Sequence, residues 1–553
     1  MNAILRIASE VDVPSRSLVR TRDLPDSRPY RRLMPPPVQW RSAWSRIVTG
    51  RGWPLLLILL LQAALSARLI WANTAFTDEA LYLWSGHMEW THWLYGTQIP
   101  QFQNYFSGAP VVYPPLAALA DSIGGLAAAR ALSLCFMLAA TILLHGTTKR
   151  IFNRTAATFA AGLFAGIGAT EYLGSFATYD AMALFLLAFA TWLGVIASSR
   201  RALGNISLLT FAALVLALAN ATKYASALFD PVVILTIVLM RWQRRRWWSG
   251  VASGLLVICL GSLAVAAALR IAGPGYWHGI TWTTLERNTA TSSPLGVVIV
   301  SLGWAGFVGG LGLVGAVVVL YKFRSWPYKL LGLTLAGAVC LAPAEQARIH
   351  TFVSLFKHVG FGEWFAAIVA GLALESLPRA VPKVKSDGAI RAALAALAAS
   401  AIIGALLAGN QFHSWPNSTK AINILRPLVA KKDSMLASDN EDVIEYYLPS
   451  EGIGSALNPL KDKVHWQSLS SSSVFYYLTP RGKFLTGTLA FDRAIRNRYF
   501  SVIALSGFRS WTGRDDFIRS LMSKYGGYKL FAAIPYTAGG VRSTYQIWVR
   551  KGS

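Results

Sequence analysis

Charged residues and cysteines are both scarce in this chain. Only 14% of its 553 residues are Asp, Glu, Lys or Arg, against roughly 25% in soluble globular proteins. Apolar residues make up 54% of the sequence, so a soluble globular protein is excluded as the class of the whole chain. Cys135, Cys259 and Cys340 each lie inside an apolar run, which favours buried apolar side chains over disulfides or metal ligands.

Acidic residues are the scarcer charge type, at 26 against 52 Lys and Arg, which leaves a net charge of +26. A nucleic-acid-binding protein would collect such an excess on one polar domain. Here ten Arg lie in residues 1–53, and most other cations form short runs between long apolar stretches. This distribution is typical of a multispanning membrane protein, so we expect the lipid bilayer, and no nucleic acid, as a partner.

Eleven apolar stretches from Trp53 onward are long enough, or nearly so, for a helix of about 20 residues to cross a membrane. They predict an all-α polytopic membrane domain over residues 51–408. The predicted spans cover 54–72, 127–147, 155–171, 180–198, 206–222, 224–241, 250–272, 295–320, 328–343, 360–377 and 388–408.

Basic loops alternate with cation-poor loops between these spans. Because cytoplasmic loops carry the excess of Lys and Arg, this alternation predicts the orientation of the chain in the plasma membrane. The N-terminus is then cytoplasmic. Residues 1–50 are rich in Arg, Pro and Ser and are predicted to form a disordered cytoplasmic arm. The predicted cytoplasmic loops contain Lys149, Arg150, Arg154, Arg200, Arg201, Arg241, Arg244, Arg245, Arg246, Lys322, Arg324, Lys329, Arg379, Lys383 and Lys385.

Two segments are predicted on the outer side of the membrane. The loop 73–126 carries Trp84, Trp90 and Trp93, which suit helices at the membrane interface, so we expect a lid or platform. Residues 409–553 contain 19 Lys and Arg, 10 Asp and Glu, and no further spanning stretch. Short β-rich runs alternate with helical runs there, which predicts a soluble α/β domain outside the membrane.

Three carboxylates lie beside predicted spans on the outer side. Asp78 and Glu79 are adjacent beyond the first span, and Asp180 begins the fourth. Ionisable groups at this depth are costly and indicate a functional site. The alternative is that they only start helices, where an acidic side chain favours the helix dipole.

Cations accompany these carboxylates on the same side. Lys223 and Arg130 lie near outer helix ends, against the positive-inside bias, and Arg348, His350 and Lys357 follow in a later outer loop. Each cation alone can extend to the interface without binding anything. Together with the carboxylates they favour a buried polar reaction chamber.

Five short motifs resemble those of the GT-C glycosyltransferases, most closely the branch of the protein O-mannosyltransferases and the lipid A aminoarabinose transferases. The resemblance covers residues 54–240 well, 241–408 in topology only, and not the tail. The motifs are Asp78-Glu79-Ala80-x-Tyr82, Tyr113-Pro114-Pro115-Leu116, Ala129-Arg130-Ala131-Leu132-Ser133 through Lys149-Arg150-Ile151-Phe152, Asp180 at a span start, and Thr222-Lys223.

The resemblance implies an inverting transferase that moves a sugar from a polyprenyl-phosphate donor to a hydroxyl of a cell-envelope glycan, lipid or protein on the outer face. Asp78 is the expected general base, and the leaving phosphate needs cations. Asp180 and Glu79 are expected to orient the acceptor or hold a divalent cation, with Asp78 and Asp180 as candidate metal ligands. The candidate phosphate ligands are Lys223, Arg130, Arg348 and Lys357, and the candidate sugar or acceptor contacts are Tyr82, Tyr113 and His350.

Two other classes fit parts of the sequence. A transporter or flippase would also have many spans with charges, but its charges belong at the membrane midplane between inverted repeats. Here the charges lie at one face, and no inverted repeat is evident. A membrane-anchored binding protein would leave Asp78 and Asp180 without a role.

Thiol labelling tests the predicted topology. In a variant without the native cysteines, single cysteines placed near Gln103 and Ser472 should react with an impermeant reagent added from outside, and one near Arg245 should not. If the position near Ser472 reacts only from the cytoplasmic side, the odd number of spans and the outer C-terminal domain are both wrong.

Overall fold

A computed structural model of the chain describes residues 52–200, 202–286, 291–380, 386–429, 435–438, 441–448, 466–468, 476–479, 481–507 and 512–552. The predicted cytoplasmic arm, residues 1–50, and the position near Ser472 lie outside these residues. Fifteen α-helices precede the C-terminal region within the described residues. They are α1 Trp53–Ile70, α2 Thr77–Tyr95, α3 Tyr113–Ile151, α4 Arg154–Ala165, α5 Gly168–Leu173, α6 Tyr179–Ala197, α7 Ala202–Thr222, α8 Asp230–Arg244, α9 Trp247–Ala272, α10 Pro274–Ile280, α11 Pro294–Lys322, α12 Trp326–Gly337, α13 Leu341–Arg348, α14 Leu355–Ala380 and α15 Ser386–Phe412.

Ten helical regions of the described chain are long and apolar enough to cross a membrane. The polytopic helical fold predicted from the sequence is therefore confirmed. The regions are α1, α3, α6, α7, α8 with the 3-10 turn Tyr224–Phe229, α9, α11, α12 with α13, α14 and α15.

The predicted span 155–171 differs from the others, because it consists of two short helices, α4 and α5. Gly166 follows α4 and Ile167 is extended before α5 begins. A Cβ on Gly166 would lie 2.9 Å from the backbone of Ala401, so only glycine lets α15 approach this closely. The break is thus a packing feature that apolar run length does not reveal.

The basic loops gather at one end of the helix bundle, which we call the basic end. Arg241 Nη1 donates to the carbonyl of Arg200 at 3.0 Å, and Ser325 Oγ donates to Gln243 at 2.7 Å. Tyr328 Oη donates to the carbonyl of Ile151 at 3.3 Å. Loops that the sequence assigns to one side of the membrane therefore contact one another.

The opposite end, the α2 end, contains the predicted platform. Helix α2 is followed by the 3-10 turn Phe102–Asn104 and by the first turns of α3. Helix α3 is kinked at Gly124 and Gly125, and Gly125 has a φ of 63°, which favours glycine. The kink separates the first part of α3 from the predicted span 127–147.

The C-terminal region has an α/β fold, as the sequence predicts. Its described elements are α16 Thr419–Leu428, β1 Met435–Ser438, α17 Glu441–Tyr447, β2 Trp466–Ser468, β3 Tyr476–Leu478, β4 Phe484–Thr486, α18 Gly487–Arg496, β5 Val502–Leu505, α19 Thr512–Tyr525, β6 Tyr528–Ala538 and β7 Val541–Arg550. Five strands form one sheet in the order β2-β1-β5-β7-β6, and β3 pairs with β4. Strand β5 is buried on both faces: Ile503 packs with α18 and α19, whereas Val502 packs with α16 and α17.

Candidate active site

A row of alternating charges lies at the α2 end and consists of Asp78, Lys357, Asp180 and Lys223. Lys357 Nζ lies 2.7 Å from Asp78 Oδ2 and 3.8 Å from Asp180 Oδ2. Lys223 Nζ lies 2.8 Å from Asp180 Oδ1. Three of the four side chains are at most 3% exposed, whereas Asp78 is 33% exposed. The charge row is therefore exposed to solvent at Asp78 and buried at its other three residues.

Each member of the row sits at a helix end. Asp78 and Asp180 are both in the first turn of their helices, α2 and α6. Lys223 directly follows α7, and Lys357 is in the first turn of α14. The positive end of a helix dipole stabilises a carboxylate there, so these acids start helices and share a site at the same time.

Aromatic rings cover the buried part of the row. The Tyr179 ring lies 4.6 Å from Lys223 Nζ, and the Phe176 ring lies 5.7 Å from Lys357 Nζ. The Tyr82 and Tyr179 rings are 4.6 Å apart. Such rings attract cations and exclude water, which strengthens every charge interaction inside.

The platform loop contacts the backbone beside Lys223. The amide of Tyr224 donates to the carbonyl of Ser107 at 2.9 Å. A Cβ on Gly108 would lie 2.2 Å from the carbonyl oxygen of Thr222, so a side chain at this position would push the loop away. This glycine lets the platform close over the charge row.

Arg130, a candidate ligand of the donor phosphate, lies outside the charge row. It forms a buried, bidentate ion pair with Glu79, at 2.8 and 2.7 Å. Its remaining N–H groups donate to the carbonyls of Ile70, Asn73 and Thr74 at 2.7 to 3.2 Å. All five guanidinium N–H groups are thereby used, and none is left for a phosphate.

Glu79 is likewise fully engaged rather than open to an acceptor or a metal. Its Oε2 accepts from the amide of Phe76 at 3.0 Å, and its Oε1 accepts from the amide of Ala177 at 2.8 Å. These two hydrogen bonds add to the two that Glu79 accepts from Arg130. The Glu79 side chain is fully buried. The pair therefore joins the end of α1, the start of α2 and the loop before α6.

Two further candidates lie outside the row. Arg348 is 66% exposed and pairs bidentately with Glu345 three residues earlier in α13. His350 has a φ of 53° and its Nδ1 lies 3.1 Å from the carbonyl of Ser292. These contacts fix a surface loop, and neither residue contacts the charge row.

Two tyrosines predicted to contact sugar or acceptor lie next to the row but are buried. The ring of Tyr82 is tilted against the ring of Tyr179. Tyr113 Oη lies 3.4 Å from Ser133 Oγ, and its ring is 6.5 Å from that of Tyr179. Both therefore pack beside Tyr179, whose ring covers Lys223.

The carboxylate oxygens of Asp78 and Asp180 are arranged to fit an ammonium group better than a divalent cation. Lys357 lies between Asp78 and Asp180, the two candidate metal ligands. In the part of the chain that the structure describes, no group of three or more His, Cys, Asp or Glu side chains is arranged to hold a metal ion. No step of the reaction proposed below passes through a metal.

Sequence reasoning missed Tyr179, Ser107 and Phe176. Tyr179 contacts Lys223, and its hydroxyl lies 2.9 Å from Ser107 Oγ. Tyr179 and Phe176 both shortly precede Asp180 in the sequence, so their proximity to that carboxylate was an available signal. Ser107 was not detectable, because its place depends on how the platform folds back.

Residues 109–269 match a family model described as dolichyl-phosphate-mannose-protein mannosyltransferase. No curated protein matches the sequence. The family model includes Arg130, Asp180 and Lys223 but not Asp78 or Lys357, so it covers part of the charge row.

Solved structures resemble the whole fold. ArnT from Cupriavidus metallidurans in the apo state is 14% identical, with a TM-score of 0.57 over 90% of this chain and 97% of that one. The same protein bound to undecaprenyl phosphate is 14% identical, with a TM-score of 0.56 over 91% of this chain and 99% of that one. A third structure is the archaeal oligosaccharyltransferase AglB from Archaeoglobus fulgidus in complex with an inhibitory peptide and a dolichol-phosphate. It is 11% identical, with a TM-score of 0.53 over 92% of this chain and 74% of that one. The chain therefore has the GT-C fold that its motifs suggest.

Replacing Arg130 tests whether its role is structural. Arg130→Met should lower the free energy of unfolding by about 3–5 kcal/mol, because it leaves the buried Glu79 carboxylate without its counter-charge. The melting temperature in detergent and the monodisperse fraction measure this. Arg348→Met, which removes an exposed cation, is the control and should change neither. A stable Arg130→Met protein with weakened binding of polyprenyl phosphate would instead support the phosphate role.

Proposed function

We propose that the chain is an integral-membrane glycosyltransferase that moves a sugar from a polyprenyl-phosphate donor to a hydroxyl group of a cell-envelope acceptor, with inversion at the anomeric carbon. The charge row carries this proposal, because a partly exposed carboxylate is held there by a buried ammonium. A base for the acceptor and a counter-ion for the leaving phosphate are what the transfer requires.

The structural relatives support the class of donor. ArnT was solved with undecaprenyl phosphate and AglB with a dolichol-phosphate, so both bind a polyprenyl phosphate on the fold that this chain shares. We extend that ligand class to this chain. Hexosyl and pentosyl donors both fit the proposal, and so do glycan, lipid and protein acceptors.

Asp78 is the proposed general base. Its Oδ2 is held by Lys357, and no described residue hydrogen bonds to its Oδ1. That oxygen can accept the proton of an acceptor hydroxyl as the hydroxyl oxygen attacks the anomeric carbon. The bond from the anomeric carbon to the phosphate oxygen breaks in the same step, so one displacement inverts the configuration.

Lys357 links the base to the leaving group through charge. The donor phosphodiester carries one negative charge, and the released phosphate monoester gains another as the bond breaks. Asp78 loses its negative charge in the same step, because it takes the acceptor proton. The ammonium of Lys357, 2.7 Å from Asp78, is then freed to neutralise the phosphate in a site shielded from water.

Lys223 is the second proposed phosphate ligand, and Asp180 orients both ammonium groups. An ammonium has three N–H donors, and Lys223 forms an ion pair with Asp180 Oδ1 at 2.8 Å. Its remaining donors are available to a phosphate oxygen. Asp180 also offsets the cost of burying both cations, because its carboxylate supplies a counter-charge.

The other candidates take supporting roles in this proposal. Glu79 and Arg130 hold the start of α2, and Tyr82 and Tyr113 form the wall against which a sugar would lie. Arg348 and His350 take no part in the proposed transfer, because they contact Glu345 and Ser292 rather than the charge row. The α2 end faces outward in the plasma membrane, as the distribution of cations supports.

Removing the base tests the mechanism. Asp78→Asn should reduce turnover by about two to four orders of magnitude. The protein should remain folded, because the amide oxygen still accepts from Lys357. Release of free polyprenyl phosphate measures turnover. Glu345→Gln, which changes a surface carboxylate at the same end of the bundle, is the matched control and should retain activity. Near-normal turnover of Asp78→Asn would remove Asp78 from the role of base.

A second pair of variants tests Lys223. Lys223→Met should weaken donor binding and slow turnover together, because a shielded phosphate–ammonium contact is strong. Lys223→Met with Asp180→Asn removes both charges and leaves no unpaired buried carboxylate, so it separates binding from stability. Donor titration in nanodiscs measures the affinity, with Arg348→Met as control. Unchanged donor affinity in the folded double variant would contradict the phosphate role of Lys223.

A further inference from the structure

The segment that precedes Asp78 is held by residues at the end of the last membrane helix and just after it. Asn73 Nδ2 donates to the carbonyls of Phe412 and Trp415, at 2.8 and 3.1 Å. Trp415 Nε1 donates to the carbonyl of Thr74 at 3.0 Å. The backbone leading into α2 is therefore fixed by the chain that leads into the C-terminal domain.

Helix α17 of the C-terminal domain adds a second set of contacts. The amide of Ala75 donates to Tyr447 Oη at 2.9 Å. Tyr446 Oη donates to Asp121 Oδ1 at 2.6 Å, and the other oxygen of Asp121 lies 2.7 Å from His87 Nε2 in α2. Burial, reinforced by Asp121, raises the pKa of Tyr446 well above its ordinary value, so this hydroxyl keeps the proton that it donates.

Apolar packing covers the same turn. Val443 in α17 is buried against Ala75 and Ala80, which flank Asp78 in the sequence. A helix of the C-terminal domain thus lies on the first turn of α2.

The sheet of the domain anchors the other contact segment. Ser418 Oγ lies 2.9 Å from Tyr545 Oη in β7, and the amide of Gly539 donates to the carbonyl of His413 at 2.8 Å. The amide of Ser418 in turn donates to Thr74 Oγ1 at 3.1 Å. A continuous line of hydrogen bonds runs from the sheet to the residues before Asp78.

We propose that the C-terminal domain positions the general base, and that Tyr446 and Tyr447 are positioning residues for the transfer reaction. The inference rests on the proposed function, because it assigns the domain a role in that reaction. Asp78 follows Ala75 by three residues, so a shift of the clamped segment moves the carboxylate relative to Lys357. Misplacement of a reacting group by about 1 Å can cost about 100-fold in rate.

The test uses the full chain with Tyr446→Phe and Tyr447→Phe combined. These changes remove the two hydroxyls and keep the rings that pack on α2. The matched control is Tyr525→Phe, because Tyr525 Oη donates to Asp492 at 2.8 Å within the C-terminal domain and does not reach α2. Two quantities are measured: hydrogen exchange of the peptide covering residues 73–82, and kcat and donor KM separately.

We expect three results for the double variant and not for the control. Hydrogen exchange over residues 73–82 becomes faster, kcat falls by about 10- to 100-fold, and the donor KM stays nearly unchanged. A merely structural contact would speed exchange but leave kcat of the folded protein intact, and that result would overturn the inference. Unchanged exchange would show that the hydroxyls do not clamp the segment. If the wild-type protein has no transferase activity, the proposed function fails, while the exchange measurement still decides whether the domain clamps α2.

Discussion

The buried ion pair between Arg130 and Glu79 is the interaction on which the α2 end of the molecule depends. It joins three chain segments that are far apart in sequence, because Arg130 also binds carbonyls at the end of α1 and Glu79 also binds the amide of Ala177. An unpaired charge at this depth would cost several kcal/mol, so the segments assemble together. Asp78 is adjacent to Glu79, so the Arg130–Glu79 pair fixes the position of Asp78. The pair itself takes no part in the proposed chemical step.

The second constraint is charge balance within the row of Asp78, Lys357, Asp180 and Lys223. Two carboxylates and two ammonium groups sum to zero, which is how four ionisable side chains are accommodated in a largely buried site. A proton arriving at Asp78 breaks that balance and leaves one cation in excess. In the proposed reaction the leaving phosphate restores it, so base catalysis and leaving-group stabilisation are coupled through Lys357.

Much of this arrangement could be predicted from the sequence, because long apolar runs and charge bias are local signals. They located the membrane helices and the end of the bundle at which Asp78, Asp180 and Lys223 meet. They did not show that Glu79 pairs with Arg130 instead of joining the charge row. Neighbours on a helix point in directions about 100° apart, and only packing decides which one faces the row. Nor did they detect the contacts of Tyr446, because these join residues more than 300 positions apart in sequence.

The most direct test of the central claim is to incubate the purified protein in nanodiscs with a panel of polyprenyl-phosphate sugars and acceptors, and to analyse the products by NMR. The account predicts acceptor-dependent release of free polyprenyl phosphate from at least one donor, together with a glycoside of opposite anomeric configuration. Retained configuration would contradict the single displacement at Asp78. Movement of intact donor across the bilayer, without cleavage of any donor in the panel, would contradict the transferase assignment and favour a transporter.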